Sequence, residues 1–259
     1  MQRLDGREVA DYLKQRHAGQ VARFKPVPRL AIVREGATPA TDMFLRVKQR
    51  YGQEIGVPVD LYTESPETLM ARIQLLNDDA GVTGINVELP LATAPQLSAE
   101  ALQAVALPKD IEGLAPGSTF EVVTPKAILW LLAAYNIDVA GCTVVIVGQG
   151  KLVGEPLARR LEASGIKVIR LDDTAADMTQ QVLQGDIVVA ATGQPGLITA
   201  AMLKPGAIVV DAGAPASDLA PDVAGRTDIT VTPNPGGVGP MTVAALFDNL
   251  LIAAQTVVD

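Results

Sequence analysis

The chain has 259 residues and a formal net charge of −8, with 48% of its residues hydrophobic and only 3% aromatic. That length builds one large domain or two modest ones, each with its own core, and aliphatic side chains must fill it, as in helices packed on parallel sheets. The acidic balance and the lack of a dense Lys/Arg patch argue against nucleic acid or an anionic membrane surface as a partner.

In chain order, apolar periodicity predicts helices over about 5–20, 41–55, 67–79 and 98–105, and strands at Leu30–Val33, Val57–Tyr62 and Gly84–Leu89. A Gly- and Pro-rich break from Pro108 to Thr124 holds Lys109-Asp110-Ile111-Glu112-Gly113, and a helix from Pro125 to Tyr135 follows. Further strands are expected at Thr143–Val147, Val168–Leu171, Asp186–Ala190, Ala207–Asp211 and Ile229–Val231. Alternating strands and helices describe an α/β protein of two lobes with a boundary near 123–140.

Cys142 is the only cysteine and His17 the only histidine. No internal disulfide can form, and a zinc site or a Ser-His-Asp triad has little to build on, so no metal is expected. Cys142 opens an aliphatic strand and reads as a buried, inert thiol. His17 lies in the polar helical stretch Asp11 to Gln20 and reads as a surface residue. The N-terminal segment lacks a signal peptide's apolar core, and no apolar run approaches the ~20 residues that span a bilayer. A soluble, cytoplasmic protein is the expectation.

Two segments carry chemistry. Val144 to Val147 is followed by Gly148-Gln149-Gly150-Lys151-Leu152-Val153-Gly154, a strand, a glycine turn and a helix start. Gly148 permits the tight turn, Gly150 lets a pyrophosphate approach the backbone, and Gly154 permits close helix packing. The spacing is one residue longer than the commonest dinucleotide fingerprint. The next strand ends at Leu171-Asp172-Asp173, where a carboxylate can bind ribose hydroxyls and repel a 2′-phosphate; the reading leans to NAD over NADP. Near the C-terminus, Thr232 to Thr242 contains three prolines and three glycines and leads into an apolar helix with Pro240 in its first turn. Such a segment is a rigid shelf of backbone, equally readable as a ligand cradle or an ordinary connection.

With these segments in place, the chain resembles the bifunctional methylenetetrahydrofolate dehydrogenase/methenyltetrahydrofolate cyclohydrolase family nearly end to end. The resemblance rests on Pro235-Gly236-Gly237-Val238-Gly239-Pro240-Met241-Thr242 and Val153-Gly154-x-Pro156. Gly36-x-x-Pro39-Ala40-Thr41, Lys48, Val87-x-Leu89-Pro90-Leu91 and Lys109-Asp110-Ile111-x-Gly113 support it. It implies an N-terminal folate-binding lobe completed by the C-terminal helix, residues 1–123 plus 240–259, and a Rossmann NAD(P)-binding lobe, residues 124–239. It further implies a homodimer acting on tetrahydrofolate one-carbon derivatives. Carried over position by position, the catalytic candidates are Lys48, Glu88, Phe44 and Tyr51, and the substrate-binding candidates are Glu112, Asp110, Pro235, Gly236, Gly237 and Val238. The dinucleotide candidates are Gly148, Gln149, Gly150, Val153, Gly154, Asp172, Asp173 and Gly237.

The chain departs from the family pattern at the site. Phe44 stands for the family's tyrosine, Glu88 for its glutamine, Glu112 for its pterin-binding aspartate, and Gln149-Gly150 for Arg-Ser. The loop from Ala115 to Val123 is shorter than usual. Phe44 keeps an aromatic face but has no hydroxyl to relay a proton. A lysine engaged by Glu88 is a poorer general base unless Glu88 itself takes the proton. Tyr51, at i+3 from Lys48, is a candidate to supply the missing phenol, or else a tyrosine packed in the core. Two other readings remain: a folate-binding or interaction protein that has lost catalysis, and a related two-lobe dehydrogenase with another small substrate.

Overall fold

The computed structural model describes residues 2–37 and 39–256, except for the side chains of Pro39 and Ala40. Thr38 and those two side chains, part of the Gly36 to Thr41 motif, lie outside the described residues. The chain divides into two compact units: one holds 11–123 and the chain from 243, the other 2–10 and 124–242. Their elements follow in chain order as β1 (Gln2–Arg3), α1 (Gly6–Val21), β2 (Leu30–Glu35), α2 (Pro39–Ile55), β3 (Val59–Glu64), α3 (Pro66–Asp78), β4 (Gly84–Val87) and α4 (Ser98–Ala104). Then come α5 (Val123–Ala134), β5 (Thr143–Val147), α6 (Gly154–Ala163), β6 (Lys167–Leu171), α7 (Met178–Val182), β7 (Ile187–Ala190), β8 (Ile208–Asp211), β9 (Thr230–Val231) and α8 (Val238–Thr256).

The first unit is built on a three-stranded parallel sheet in the order β3-β2-β4. Alternation along β4 divides its side chains. Ile85 and Val87 join Ala31 and Val33 under Leu69, Ile73 and Leu76 of α3. Residues 84, 86 and 88 therefore share the opposite face. There a Cβ on Gly84 would lie 2.7 Å from a methyl of Ile111 and 2.8 Å from one of Leu250, so a larger residue would have to displace those side chains. Ser65 caps α3, accepting the Thr68 N–H on its backbone carbonyl and donating its own N–H to the Thr68 hydroxyl, with Pro66 in the first turn.

The second unit carries a six-stranded parallel sheet in the order β1-β9-β8-β7-β5-β6. Its aliphatic strands Val144–Val147, Val188–Ala190 and Val209–Val210 are almost wholly buried, as expected for a sheet covered on both faces. Strand β5 is flanked by β6 on one side and β7 on the other. The order reverses there, which makes the C-terminal ends of β5 and β7 a topological switch point.

Three expectations change. Gln2 and Arg3 pair with Thr230 and Val231 in this second sheet, so residues 2–10 leave the folate lobe to which they were assigned. Two residues are too few for periodicity to reveal. Cys142 precedes β5 and is only partly buried; its thiol donates to the Asp138 carbonyl at 3.5 Å. Helix α8, at 19 residues, is long and apolar enough to cross a bilayer. Its Leu246, Phe247 and Leu250 are instead packed inside the protein at 1% exposure or less.

Candidate active site

In the first unit α2 carries Phe44 and Lys48 one turn apart. The Lys48 ammonium donates to Asn86 Oδ1 at 2.7 Å and to Glu88 Oε2 at 2.6 Å. Lys48 and Glu88 keep only 13% and 6% of their side-chain surface exposed, so this charge pair is largely out of water. Asn86 and Glu88 meet the lysine together because they are two residues apart and share one face of the β4 segment. The Glu88 N–H is fixed by the Val33 carbonyl at 2.8 Å.

Glu112 completes the cluster. Burial pushes its carboxyl up to about 7, with repulsion from Glu88 and Asp110 adding to the rise and Lys48 and Asn86 opposing it. Its loop is held on both sides by Asn249 of α8, whose buried Nδ2 donates to the carbonyls of Ile111 at 2.7 Å and Glu121 at 2.9 Å. Lys109 shapes the same loop by donating to the carbonyls of Leu76 and Asp79 at the end of α3.

Lys48, Glu88 and Glu112 are thus brought together, with Phe44 on the helix that delivers the lysine. Asp110 and Tyr51 are not part of the group. Asp110 is buried and turned into its own loop, accepting the Ala115 N–H at 2.9 Å. The Tyr51 hydroxyl is bonded to His17 Nδ1 at 2.9 Å, and its ring stacks on Phe247 at 4.9 Å between centroids. Tyr51 is therefore committed to the core and does not replace the hydroxyl missing at Phe44. His17 is likewise no surface residue. It is fully buried, with Nε2 3.5 Å from Asp248 Oδ1, because α1 turns this position towards α2 and α8.

Asn86 escaped the sequence reading. It is wholly buried, and the signal was available as a lone amide in the otherwise apolar run Gly84-Ile85-Asn86-Val87.

In the second unit the glycine turn lies at the switch point. Gly148 has φ +96°, and a Cβ there would lie 2.2 Å from the Ala191 carbonyl at the end of β7. A Cβ on Gly154 would lie 1.8 Å from the Gly148 carbonyl, so α6 starts hard against the turn. Gly150, by contrast, has no atom of the described residues, its chain neighbours aside, within 4 Å of where its Cβ would be. The turn therefore has the tight bend, close helix and open approach that a dinucleotide pyrophosphate requires. Gln149 folds back, donating to the carbonyls of Ile146 and Gly148, and Val153 immediately precedes α6. Asp172 and Asp173 are exposed just beyond β6. Asp172 accepts from the Thr174 hydroxyl and N–H, which hold its carboxyl below the usual range.

The Pro235 to Val238 segment belongs to this second unit and is tied to α1. The Gly6 N–H donates to Gly236 O at 2.9 Å, and Arg7 donates to Pro235 O. Pro235 is exposed, whereas Gly237 and Val238 are buried. Gly237 serves packing, since a Cβ on Gly6 would lie 1.9 Å from its carbonyl oxygen.

Two family models match the chain. Residues 4–112 match the catalytic domain of tetrahydrofolate dehydrogenase/cyclohydrolase and residues 122–258 its NAD(P)-binding domain. The bifunctional protein FolD of Exiguobacterium sibiricum is 36% identical, across 97% of this chain and 99% of that protein. The bifunctional FolD dehydrogenase/cyclohydrolase of Campylobacter jejuni superposes with a TM-score of 0.91 at 30% identity, covering 99% of each chain. The corresponding enzyme of Trypanosoma brucei, solved with NADP and an inhibitor, gives 0.90 at 28% identity, covering 98% and 97%.

Proposed function

Since the chain belongs to the tetrahydrofolate dehydrogenase/cyclohydrolase family, we propose that it oxidises 5,10-methylenetetrahydrofolate to the 5,10-methenyl form and then hydrolyses that product to 10-formyltetrahydrofolate. The observation that carries this reading is the Lys48 cluster, in which an ammonium meets one amide and one carboxylate and acts on a second carboxylate, Glu112. When bound, a nicotinamide dinucleotide supplies the hydride acceptor, and Gly148, Gly150, Gly154 and Asp172 are the residues to hold it. The folate's own nitrogen lone pair helps expel the hydride, so the protein's part in oxidation is chiefly positioning. Phe44 offers a face to the ring, and Glu112 accepts from its N–H groups.

Hydrolysis needs an acceptor for the proton of the attacking water. Lys48 is committed to Asn86 and Glu88, and Phe44 has no hydroxyl. In this reading Glu88 takes that proton as the water oxygen bonds to the methenyl carbon and passes it to N5 as the C–N5 bond breaks, the second proton leaving to solvent, while Lys48 orients Glu88. NAD is favoured over NADP: Asp172 is ionised, and Gln149, folded back on its own turn, offers no positive charge to a 2′-phosphate. The reading extends to a cytoplasmic homodimer, supported by the family resemblance, and a monomer mass by light scattering would remove the dimer.

The test incubates the protein with 5,10-methylenetetrahydrofolate and either NAD or NADP, following reduced nicotinamide and methenyl absorbance. Turnover followed by loss of the methenyl signal is expected, faster with NAD. No turnover with either dinucleotide refutes the oxidation, persistent methenyl absorbance refutes the hydrolysis, and faster reaction with NADP overturns the role given to Asp172.

A further inference from the structure

Asn86 has no exposed surface, and its Nδ2 makes no hydrogen bond among the described residues. The amide's orientation is fixed by chemistry: Lys48 has only donors, so the oxygen must face it, at 2.7 Å. The nitrogen therefore points away from the lysine, and it favours the Glu112 carboxylate without completing a hydrogen bond to it. A buried, unpartnered N–H group is costly and calls for an explanation. In a strand face shared with Glu88 and served by Lys48, the explanation is a ligand that brings its own acceptor.

We propose that Asn86 and Glu112 together read the lactam edge of the bound pteridine, Asn86 Nδ2 donating to the ring carbonyl oxygen while Glu112 accepts from the adjacent ring N–H. This inference rests on the folate reading above and adds a residue to it. The ring of a reduced folate carries a donor and an acceptor side by side on that edge, and the protein presents the complementary acceptor and donor. Asn86 is then a specificity-determining residue. It admits a carbonyl at this ring position and rejects an amino group, whose hydrogens would face its own.

Equilibrium binding of two probes tests this: tetrahydrofolate and its 4-amino-4-deoxy analogue, each titrated into the native chain, Asn86→Leu and Asn86→Asp, with circular dichroism as the check on folding. The native chain is expected to prefer the carbonyl form. Asn86→Leu should cut that preference by about tenfold or more. Asn86→Asp keeps an oxygen for Lys48 and replaces the donor with an acceptor, so it should shift the preference towards the amino analogue. A preference unchanged in both variants overturns the inference while leaving the folate reading intact. Failure of the native chain to bind tetrahydrofolate overturns the folate reading and this inference with it.

Discussion

Glu112→Gln tests whether the cluster around Lys48 is as desolvated as its geometry implies. In the native chain, burial raises the Glu112 carboxyl from the usual 4.5 to about 7. An acid raised in this way holds its proton more tightly when folded. Its stabilising contribution is full below the unfolded value and is lost as pH climbs through the folded one. Between about pH 5 and pH 8 the native chain should lose about 2.5 kcal/mol from this group alone. Glutamine keeps the shape and hydrogen-bonding capacity without the titration. Asp110 is also raised by burial, but it is present in both proteins and cancels in the difference. Urea unfolding followed by far-UV circular dichroism at the two pH values measures the effect. The native protein should lose about 2.5 kcal/mol more than Glu112→Gln. Equal pH dependence in the two proteins would refute the placement of Glu112 in a water-poor cluster.

Tyr51→Phe should lower stability by about 1–2 kcal/mol, because His17 Nδ1 loses its partner; thermal melts report the loss, and an altered kcat would contradict the core role assigned to Tyr51. Asn249→Leu strips the donor from two carbonyls flanking Glu112, costing about 2–4 kcal/mol. Steady-state kinetics should show KM for the folate rising more than KM for the dinucleotide. Gly148→Ala should prevent stable folding, given its φ of +96° and the 2.2 Å contact, whereas Gly150→Ala meets none of the described residues beyond its chain neighbours within 4 Å. The latter should melt like the native chain yet bind dinucleotide more weakly by calorimetry. Lys48→Met should cost about 3–5 kcal/mol by stranding the buried Glu88 charge, and adding Glu88→Gln should recover most of it. Additive losses in that double-mutant cycle would show that the pair is not coupled.

The parts of the fold that could be read from the chain are those whose signals are local. The sequence places strand β5 at its observed bounds, Thr143–Val147, because five consecutive residues rich in aliphatic branching are followed by a glycine. The turn from Gly148 to Gly154 could be read for the same reason. Tyr51 could not. Its place on α2 is compatible with facing Lys48, but its partners are His17, 34 positions away, and Phe247 on α8. Helical spacing says which residues share a face, while the neighbouring helices decide what that face meets. His17 misled for a related reason: polar neighbours in sequence say nothing about one position of a helix that faces inward. Asn86 is hard to single out because one amide does not disturb the apolar pattern of a short strand.

The replacements at the site make physical sense as a set. A carboxylate at position 88 with 6% of its side chain exposed would be prohibitive alone, and Lys48 at 2.6 Å makes it tolerable. Drawing the lysine to Glu88 takes one of its donors, and Asn86 Oδ1 takes a second at 2.7 Å, so the ammonium is held without a tyrosine hydroxyl from position 44. Fixing the Asn86 oxygen on Lys48 aims its nitrogen away from the lysine, and Asn86 favours the Glu112 carboxylate. Glu112 in turn feels both the lysine and the neighbouring carboxylates. Each change thus sets the conditions for the next. Reversing one alone, for example Glu88→Gln, would loosen the lysine without restoring the hydroxyl that Phe44 lacks. The chemistry of this site is decided by the four side chains together, all of them carried by the first unit.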